Sequence, residues 1–213
     1  MVKSVVEDIA AEIAHLRAEA ASCRACDLWK NATQTVFGEG PADADILFVG
    51  EQPGDREDLA GRPFVGPAGL IFDRALEEAG VDRKRAYVTN AVKHFKFEPR
   101  GKLRLHKKPN AGEIDVCRHW LFAEILTLRP QLIVALGATA AQALVGRPVP
   151  IGANRGKLLE AARALRVFVT VHPSSLLRQP DEATRREAFA LFVADLRAVK
   201  EVAARAPREF SAA

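Results

Sequence analysis

Gln131-Leu-Ile-Val-Ala-Leu-Gly137 is a short apolar run with the composition of a buried strand, and small residues typical of a helix follow it. Three similar runs occur at residues 45–50, 86–90 and 167–172, and segments with helical patterns separate them. Strands that are buried on both faces and alternate with helices indicate a mainly parallel sheet with helices on both sides. The sequence therefore predicts an α/β three-layer sandwich around a central four-stranded sheet.

The composition fits a single domain. The 213 residues are 48% hydrophobic and 27% charged, which suits one core with a short tail. We expect residues 1–206 to form one domain, with helices at 67–79 and 182–204, and residues 207–213 to form a loose tail. The longest apolar stretch, at 132–145, is shorter than the ~20 residues of a membrane-spanning helix, and the N-terminus is too acidic for a signal peptide. A monomeric cytoplasmic protein without a membrane partner is expected.

Positive charge is concentrated between Lys93 and Lys108. This segment contains seven Lys or Arg residues and one acid, Glu98, whereas the net charge of the chain is only +4. Such a local strip indicates either contact with phosphate groups or a solvated lysine-rich loop.

The chain has three cysteines, of which Cys23 and Cys26 form a Cys-x-x-Cys pair and Cys117 is remote. An odd number argues against a disulfide framework, and in a reducing compartment such a pair indicates a metal site or a redox motif. The pair follows a helix and precedes irregular polar sequence, unlike a thioredoxin motif, so a metal is favoured. Zinc held by three cysteines and one histidine is compatible with this spacing.

Polar side chains follow three of the predicted strands. Glu51-Gln-Pro-Gly54 follows the first strand, Asn90 ends the second, and His172-Pro-Ser-Ser175 follows the fourth. Ligands bind at the carboxyl ends of the strands in such sheets. We therefore expect a carboxylate, an amide and an imidazole to share one cleft.

Several of these segments resemble motifs of the uracil-DNA glycosylase superfamily, in its iron–sulfur family 4 branch. The motifs are Gly50-Glu-Gln-Pro-Gly54, Gly61-Arg-Pro-Phe-Val-Gly66, Val88-Thr-Asn90 and His172-Pro-Ser174. The loop Lys102-Leu-Arg-Leu-His106 resembles that of the UdgX group, whose members become covalently attached to uracil-containing DNA. The resemblance covers most of the chain, from Cys23 to about Arg178. It implies a DNA-repair protein that acts on uracil in single-stranded DNA or on a base flipped out of a duplex.

The resemblance implies a role for each side chain of the cleft. Glu51 would stabilise an oxocarbenium-like deoxyribose, and His172 would donate a hydrogen bond to uracil O2. Phe64 would stack on the base, while the carboxamide of Asn90 would match the N3–H and O4 of uracil. The further substrate-binding residues that it implies are Gln52, Glu57 against the thymine methyl group, Arg104, and Ser174 at the start of a loop that enters the duplex.

The same resemblance implies a [4Fe–4S] cluster. The third ligand in family 4 is a cysteine shortly after Val-Thr-Asn, where this chain has His94. We therefore expect the cluster to be held by Cys23, Cys26, His94 and Cys117, with His119 as the competing fourth ligand. Imidazole ligation of iron–sulfur centres has precedent in Rieske clusters.

The role of His106 decides whether the protein would trap DNA covalently or release its product and turn over. The surrounding Lys and Arg residues favour a neutral, nucleophilic imidazole, and the resemblance implies that it captures C1′ of the sugar. Leu103 and Leu105 stand where the UdgX loop usually has Arg and Ile, and the missing Arg is expected to weaken DNA contact. The alternatives are a hydrolytic family 4 glycosylase, in which His106 only contacts phosphate, and a non-catalytic iron–sulfur protein that binds nucleic acid.

Overall fold

The structure is a computed structural model that describes residues 4–161 and 165–205. The strands in these ranges are β1 (Ile46–Gly50), β2 (Ala86–Asn90), β3 (Phe97–Arg100), β4 (Leu103–His106), β5 (Leu132–Leu136), β6 (Leu158–Glu160) and β7 (Arg166–Thr170). The helices are α1 (Val5–Ala20), α2 (Asp55–Ala60), α3 (Pro67–Ala79), α4 (Ala111–Leu128), α5 (Ala138–Val145), α6 (Ile151–Asn154), α7 (Ser174–Leu177) and α8 (Glu182–Ala204). The expected tail at 207–213 lies outside the described residues.

The main sheet has the order β2-β1-β5-β7-β6. The first four of these strands are parallel to one another, and β6 pairs antiparallel with β7. The prediction of a mainly parallel α/β sheet is confirmed, but the predicted number of four strands was wrong, since the main sheet has five strands within the described residues. Strand β6 lacks the long apolar run of a buried strand because it is three residues long and lies at the edge, where two of its side chains are exposed.

Helices cover both faces of the sheet, as the three-layer prediction requires. Successive strand residues point to opposite faces, so Leu47 and Val49 pack with α4, while Phe48 packs with α3 and α8. Helices α1 and α5 complete the layer on the α4 side. Within the described ranges no helix is both long and apolar enough to cross a membrane.

The basic segment contains a β-hairpin where the sequence predicts a loop. Strands β3 and β4 pair antiparallel, with Phe97 opposite His106 and Arg100 opposite Leu103. Gly101 has a φ of 59°, a value that a two-residue hairpin turn requires and that glycine adopts without strain. The hairpin escapes detection because its strands are short and mostly exposed. It carries His106 at the end of β4.

Candidate active site

A cavity of about 870 Å³ opens at the carboxyl ends of the parallel strands. The expected catalytic residues Glu51, His106 and His172 line it, and so do five of the six expected substrate-binding residues: Gln52, Glu57, Phe64, Asn90 and Ser174. Arg104 does not line the cavity. The structure thus brings together the segments that follow β1, β2, β4 and β7, while the roles of the individual side chains remain predictions.

Glu51 and His106 lie side by side at this cavity. Nε2 of His106 is 3.4 Å from Oε1 of Glu51. The side chain of His106 is 50% exposed and that of Glu51 is 23% exposed. The other carboxylate oxygen of Glu51 accepts a hydrogen bond from the hydroxyl of Thr139. A carboxylate and an imidazole are therefore available together to a ligand in the cavity.

Phe64 and Asn90 also line the cavity. Phe64 has a φ of 57°, and outliers of this kind in non-glycine residues cluster at functional sites. Its ring lies 6.1 Å from that of His172 at an interplanar angle of 28°. Asn90 is only 2% exposed, and a Cβ atom at Gly50 would lie 2.3 Å from its Oδ1. The missing side chain of Gly50 thus leaves room for the Asn90 carboxamide.

The hydrogen bonds of His172 define its tautomer. The backbone N–H of Ser174 donates to Nδ1 over 3.1 Å, and the Ser174 hydroxyl lies 2.8 Å from the same atom. Burial lowers the pKa of His172 to about 4, and the electrostatic effect of nearby Arg178 acts in the same direction. Since Nδ1 accepts a hydrogen bond, the proton of the neutral ring is on Nε2, which makes that atom a donor.

Glu57 and Gln52 hold the loops around the cavity. The carboxylate of Glu57 accepts from the backbone N–H groups of Gly54 and Gly66 at 3.1 and 2.8 Å. The Gln52 amide donates to the carbonyls of Lys96 and Lys107 at 3.1 and 3.0 Å. Gln52 therefore ties together the two chain segments that flank the hairpin, a role that its position in the motif did not reveal.

Arg104 binds carboxylates of the same chain. Its Nε donates to Asp55 over 2.5 Å and its Nη1 to Asp58 over 2.6 Å. The guanidinium also lies over the rings of Phe95 and Phe97, at 5.5 and 5.2 Å from their centroids. These contacts fasten the hairpin to α2, so the expected role of Arg104 in substrate binding has no support from its position.

The basic strip is partly neutralised within the protein. Lys93 is fully buried, and its Nζ contacts Glu124 at 2.5 Å, the Thr89 hydroxyl at 2.6 Å and the carbonyl of Asn90 at 2.9 Å. Lys96 and Lys107 bind Glu113 and Glu98 at 2.8 and 2.6 Å. Sequence reasoning missed that Lys93 and Glu124 support the strand end that carries Asn90. An acidic residue between the apolar Leu121 and Ile125 of α4 was the available signal.

All three cysteines are free thiols in the structure. Cys117 is buried, Cys23 and Cys26 are half-buried, and the backbone N–H of Lys93 donates to the Cys117 sulfur over 3.2 Å. Burial raises the pKa of Cys117 to about 11, and burial together with nearby Cys23 raises that of Cys26. This donor chemistry fits an iron–sulfur cluster or zinc. However, no three His, Cys, Asp or Glu side chains converge on a metal position in the described ranges.

His94 and His119, the two candidates for the fourth ligand of the cluster, lie in different environments. His94 is 5% exposed, and burial lowers its pKa against the opposing effect of Asp58. His119 is exposed, and its Nδ1 lies 2.7 Å from the carbonyl of Val116. His94 adjoins Lys93, whose backbone contacts Cys117, so the peptide segment that carries His94 passes beside the third cysteine.

Comparisons with known proteins agree with this arrangement. The family model described as "Uracil DNA glycosylase superfamily" matches residues 37–197. The chain is 42% identical to a type-4 uracil-DNA glycosylase of Thermotoga maritima over 165 residues, which are 77% of this chain and 82% of that protein. It is 36% identical to a type-4 uracil-DNA glycosylase of Archaeoglobus fulgidus, with 76% and 81% covered. The chain therefore belongs to the uracil DNA glycosylase superfamily.

Proposed function

We propose that this protein breaks the N-glycosidic bond of deoxyuridine in DNA and that His106 then captures the sugar. The observation that carries the proposal is the position of His106, whose Nε2 is 3.4 Å from Glu51 in the cavity that also contains Phe64 and Asn90. The similarity to proteins named type-4 uracil-DNA glycosylase supports uracil in DNA as the substrate.

The cavity offers a complementary surface to a flipped uracil. Phe64 would stack on the base, and the buried Asn90 carboxamide would accept from N3–H and donate to O4. Cytosine presents the reverse pattern at these positions and would be rejected. Glu57 lines the same cavity, and we propose that it crowds the methyl group of thymine.

Bond cleavage would leave its electron pair on uracil and positive charge on the sugar. The Nε2–H of His172 would donate to O2 of the departing uracil anion, which then takes a proton from solvent. Glu51 would stabilise the oxocarbenium-like sugar. The lone pair of His106 Nε2 would form the new bond to C1′, while the proton on its Nδ1 stays on the ring. The 3.4 Å separation from Glu51 is longer than a charge-assisted hydrogen bond, which leaves that lone pair available.

Single-stranded DNA, or a base flipped from a duplex, is the proposed form of the substrate. Lys108 and Arg178 line the cavity and would contact phosphates. Leu177, which is 42% exposed in α7, would enter the space that the flipped base leaves in a duplex. We also propose that the protein acts as a monomer, since each of these groups lies in one chain.

We propose that a [4Fe–4S] cluster is held by Cys23, Cys26, Cys117 and His94. The buried positions of Cys117 and His94 support this set, and so does the hydrogen bond from the backbone N–H of Lys93, next to His94, to the Cys117 sulfur. When bound, the cluster would link the segment after α1 to α4 and to the segment after β2, and thereby stabilise the chain near Asn90. The proposed excision steps use only the side chains of the cavity.

A denaturing gel tests the proposal. The protein is mixed with a single-stranded oligonucleotide containing one uracil, heated in detergent and compared with a thymine-containing control. We expect a shifted protein–DNA band with uracil only, and no such band with the His106→Ala variant. Free uracil that accumulates over many turnovers without a shifted band would instead identify a hydrolytic glycosylase. Binding without release of uracil or adduct would identify a non-catalytic DNA-binding protein.

A further inference from the structure

Thr139 is a buried hydroxyl group at the edge of the cavity. Strand β5 ends at Leu136, Gly137 turns the chain with a φ of 92°, and Thr139 is the second residue of α5. A Cβ atom at Gly137 would lie 3.0 Å from the Cβ of His172, so this glycine allows α5 to start close to the end of β7. Thr139 is 2% exposed and lines the cavity.

The Thr139 hydroxyl binds the carboxylate that faces His106. Its Oγ1 donates to Oε2 of Glu51, whereas Oε1 of Glu51 is the oxygen 3.4 Å from His106. Strands β1 and β5 are neighbours in the sheet, which is why the residues that follow them meet. The two oxygens of Glu51 therefore have separate partners, and the bond to Thr139 fixes which oxygen faces the cavity.

We propose that Thr139 is a positioning residue that holds Glu51 in the orientation needed to stabilise the sugar cation. This inference rests on the proposed function, because it gives Thr139 its effect through Glu51. The hydroxyl supplies a hydrogen bond to an anion, and such bonds are about twice as strong as those between neutral groups. Without this hydrogen bond, the Glu51 carboxylate would rotate among its side-chain conformations and would no longer be oriented toward C1′ of the sugar.

Thr139→Val separates this role from packing. Valine has nearly the shape of threonine, so helix α5 keeps its contacts while the hydroxyl is lost. We expect uracil release under single-turnover conditions to slow about 10- to 100-fold, the effect of losing one hydrogen bond to a charged group. Affinity for uracil-containing DNA should change little, and Thr139→Ser, which keeps the hydroxyl, should restore most of the rate.

Measuring Thr139→Val both in the wild-type protein and in a Glu51→Gln variant shows whether Thr139 acts through Glu51. In a Glu51→Gln variant, we expect Thr139→Val to cause no further slowing beyond that of Glu51→Gln alone. Equal slowing by Thr139→Val in both backgrounds, or a wild-type rate for Thr139→Val, would overturn the positioning role. A wild-type rate for Glu51→Gln would instead refute the role of Glu51 in the proposed function. Thermal melting of each variant shows whether the fold is retained.

Discussion

The guanidinium of Arg104 forms a salt bridge with the carboxylate of Asp58 at a distance of 2.6 Å, and the side chain of Asp58 is fully buried. Arg104 belongs to the strand that ends at His106, whereas Asp58 belongs to α2. An ion pair outside the cavity therefore joins the hairpin that carries His106 to α2.

Arg104→Gln should reduce capture of the sugar more than release of uracil. The neutral side chain loses two charge-assisted hydrogen bonds, so the hairpin holds His106 less firmly beside C1′. We expect adduct formation to slow about 10- to 100-fold, measured on denaturing gels beside free uracil from the same samples. Lys102→Gln is the matched control, because Lys102 is exposed in the same hairpin. Equal slowing of both steps, or equal effects of both variants, would show that Arg104 does not position His106.

His106→Ser should separate bond cleavage from capture. If the transition state is dissociative, Glu51, Asn90 and His172 still polarise the substrate, and water occupies the place of the imidazole. We expect no adduct but slow release of uracil, with alkali-labile sites in the DNA. Adding Glu51→Gln should slow that release by at least about 100-fold. A His106→Ser variant that neither crosslinks nor releases uracil would show that His106 takes part in breaking the bond.

His172 should make stability depend on pH in acid. Its pKa of about 4 in the folded protein lies below the value of about 6.5 for an unfolded chain. Between these values the unfolded state binds more protons, so the free energy of unfolding falls as the pH decreases through this window. The free energy of unfolding should therefore change less between about pH 7 and about pH 5 in His172→Gln than in the wild-type protein. An unchanged difference would mean that His172 titrates normally when folded.

The metal content should distinguish His94 from His119. If His94 is the fourth ligand, His94→Ala should lose more iron and sulfide, and more of the brown colour, than His119→Ala. The exposed position of His119 makes it a suitable control. Similar losses in both variants would argue against the assignment of His94. Colourless wild-type protein with stoichiometric zinc would replace the cluster by a zinc site.

The sheet could be predicted because burial on both faces leaves a strong signature. Helix α3 has the bounds expected from the sequence, with Pro67 in its first turn and Gly80 as its left-handed C-cap. Strand β6 and the β3–β4 hairpin were missed because these strands are only three or four residues long and mostly exposed.

The cavity residues could be predicted from motifs at strand ends, since parallel strands bring those ends together. Their supporting contacts could not. Arg104 and Lys93 belong to one basic strip, yet Arg104 binds two aspartates of α2, whereas Lys93 is buried against Glu124. Which cation meets which acid depends on tertiary distances that a charge pattern does not contain. Thr139 was missed for the same reason, because its partner Glu51 follows a different strand.

The central claim is that each protein molecule excises one uracil and keeps the sugar on His106. It is tested most directly by counting uracil released from excess uracil-containing DNA and by mapping the modified peptide by mass spectrometry. The account predicts a plateau at about one uracil per protein molecule, with the deoxyribose on the peptide that contains His106. Continued release beyond one equivalent, with an unmodified His106 peptide, would contradict it.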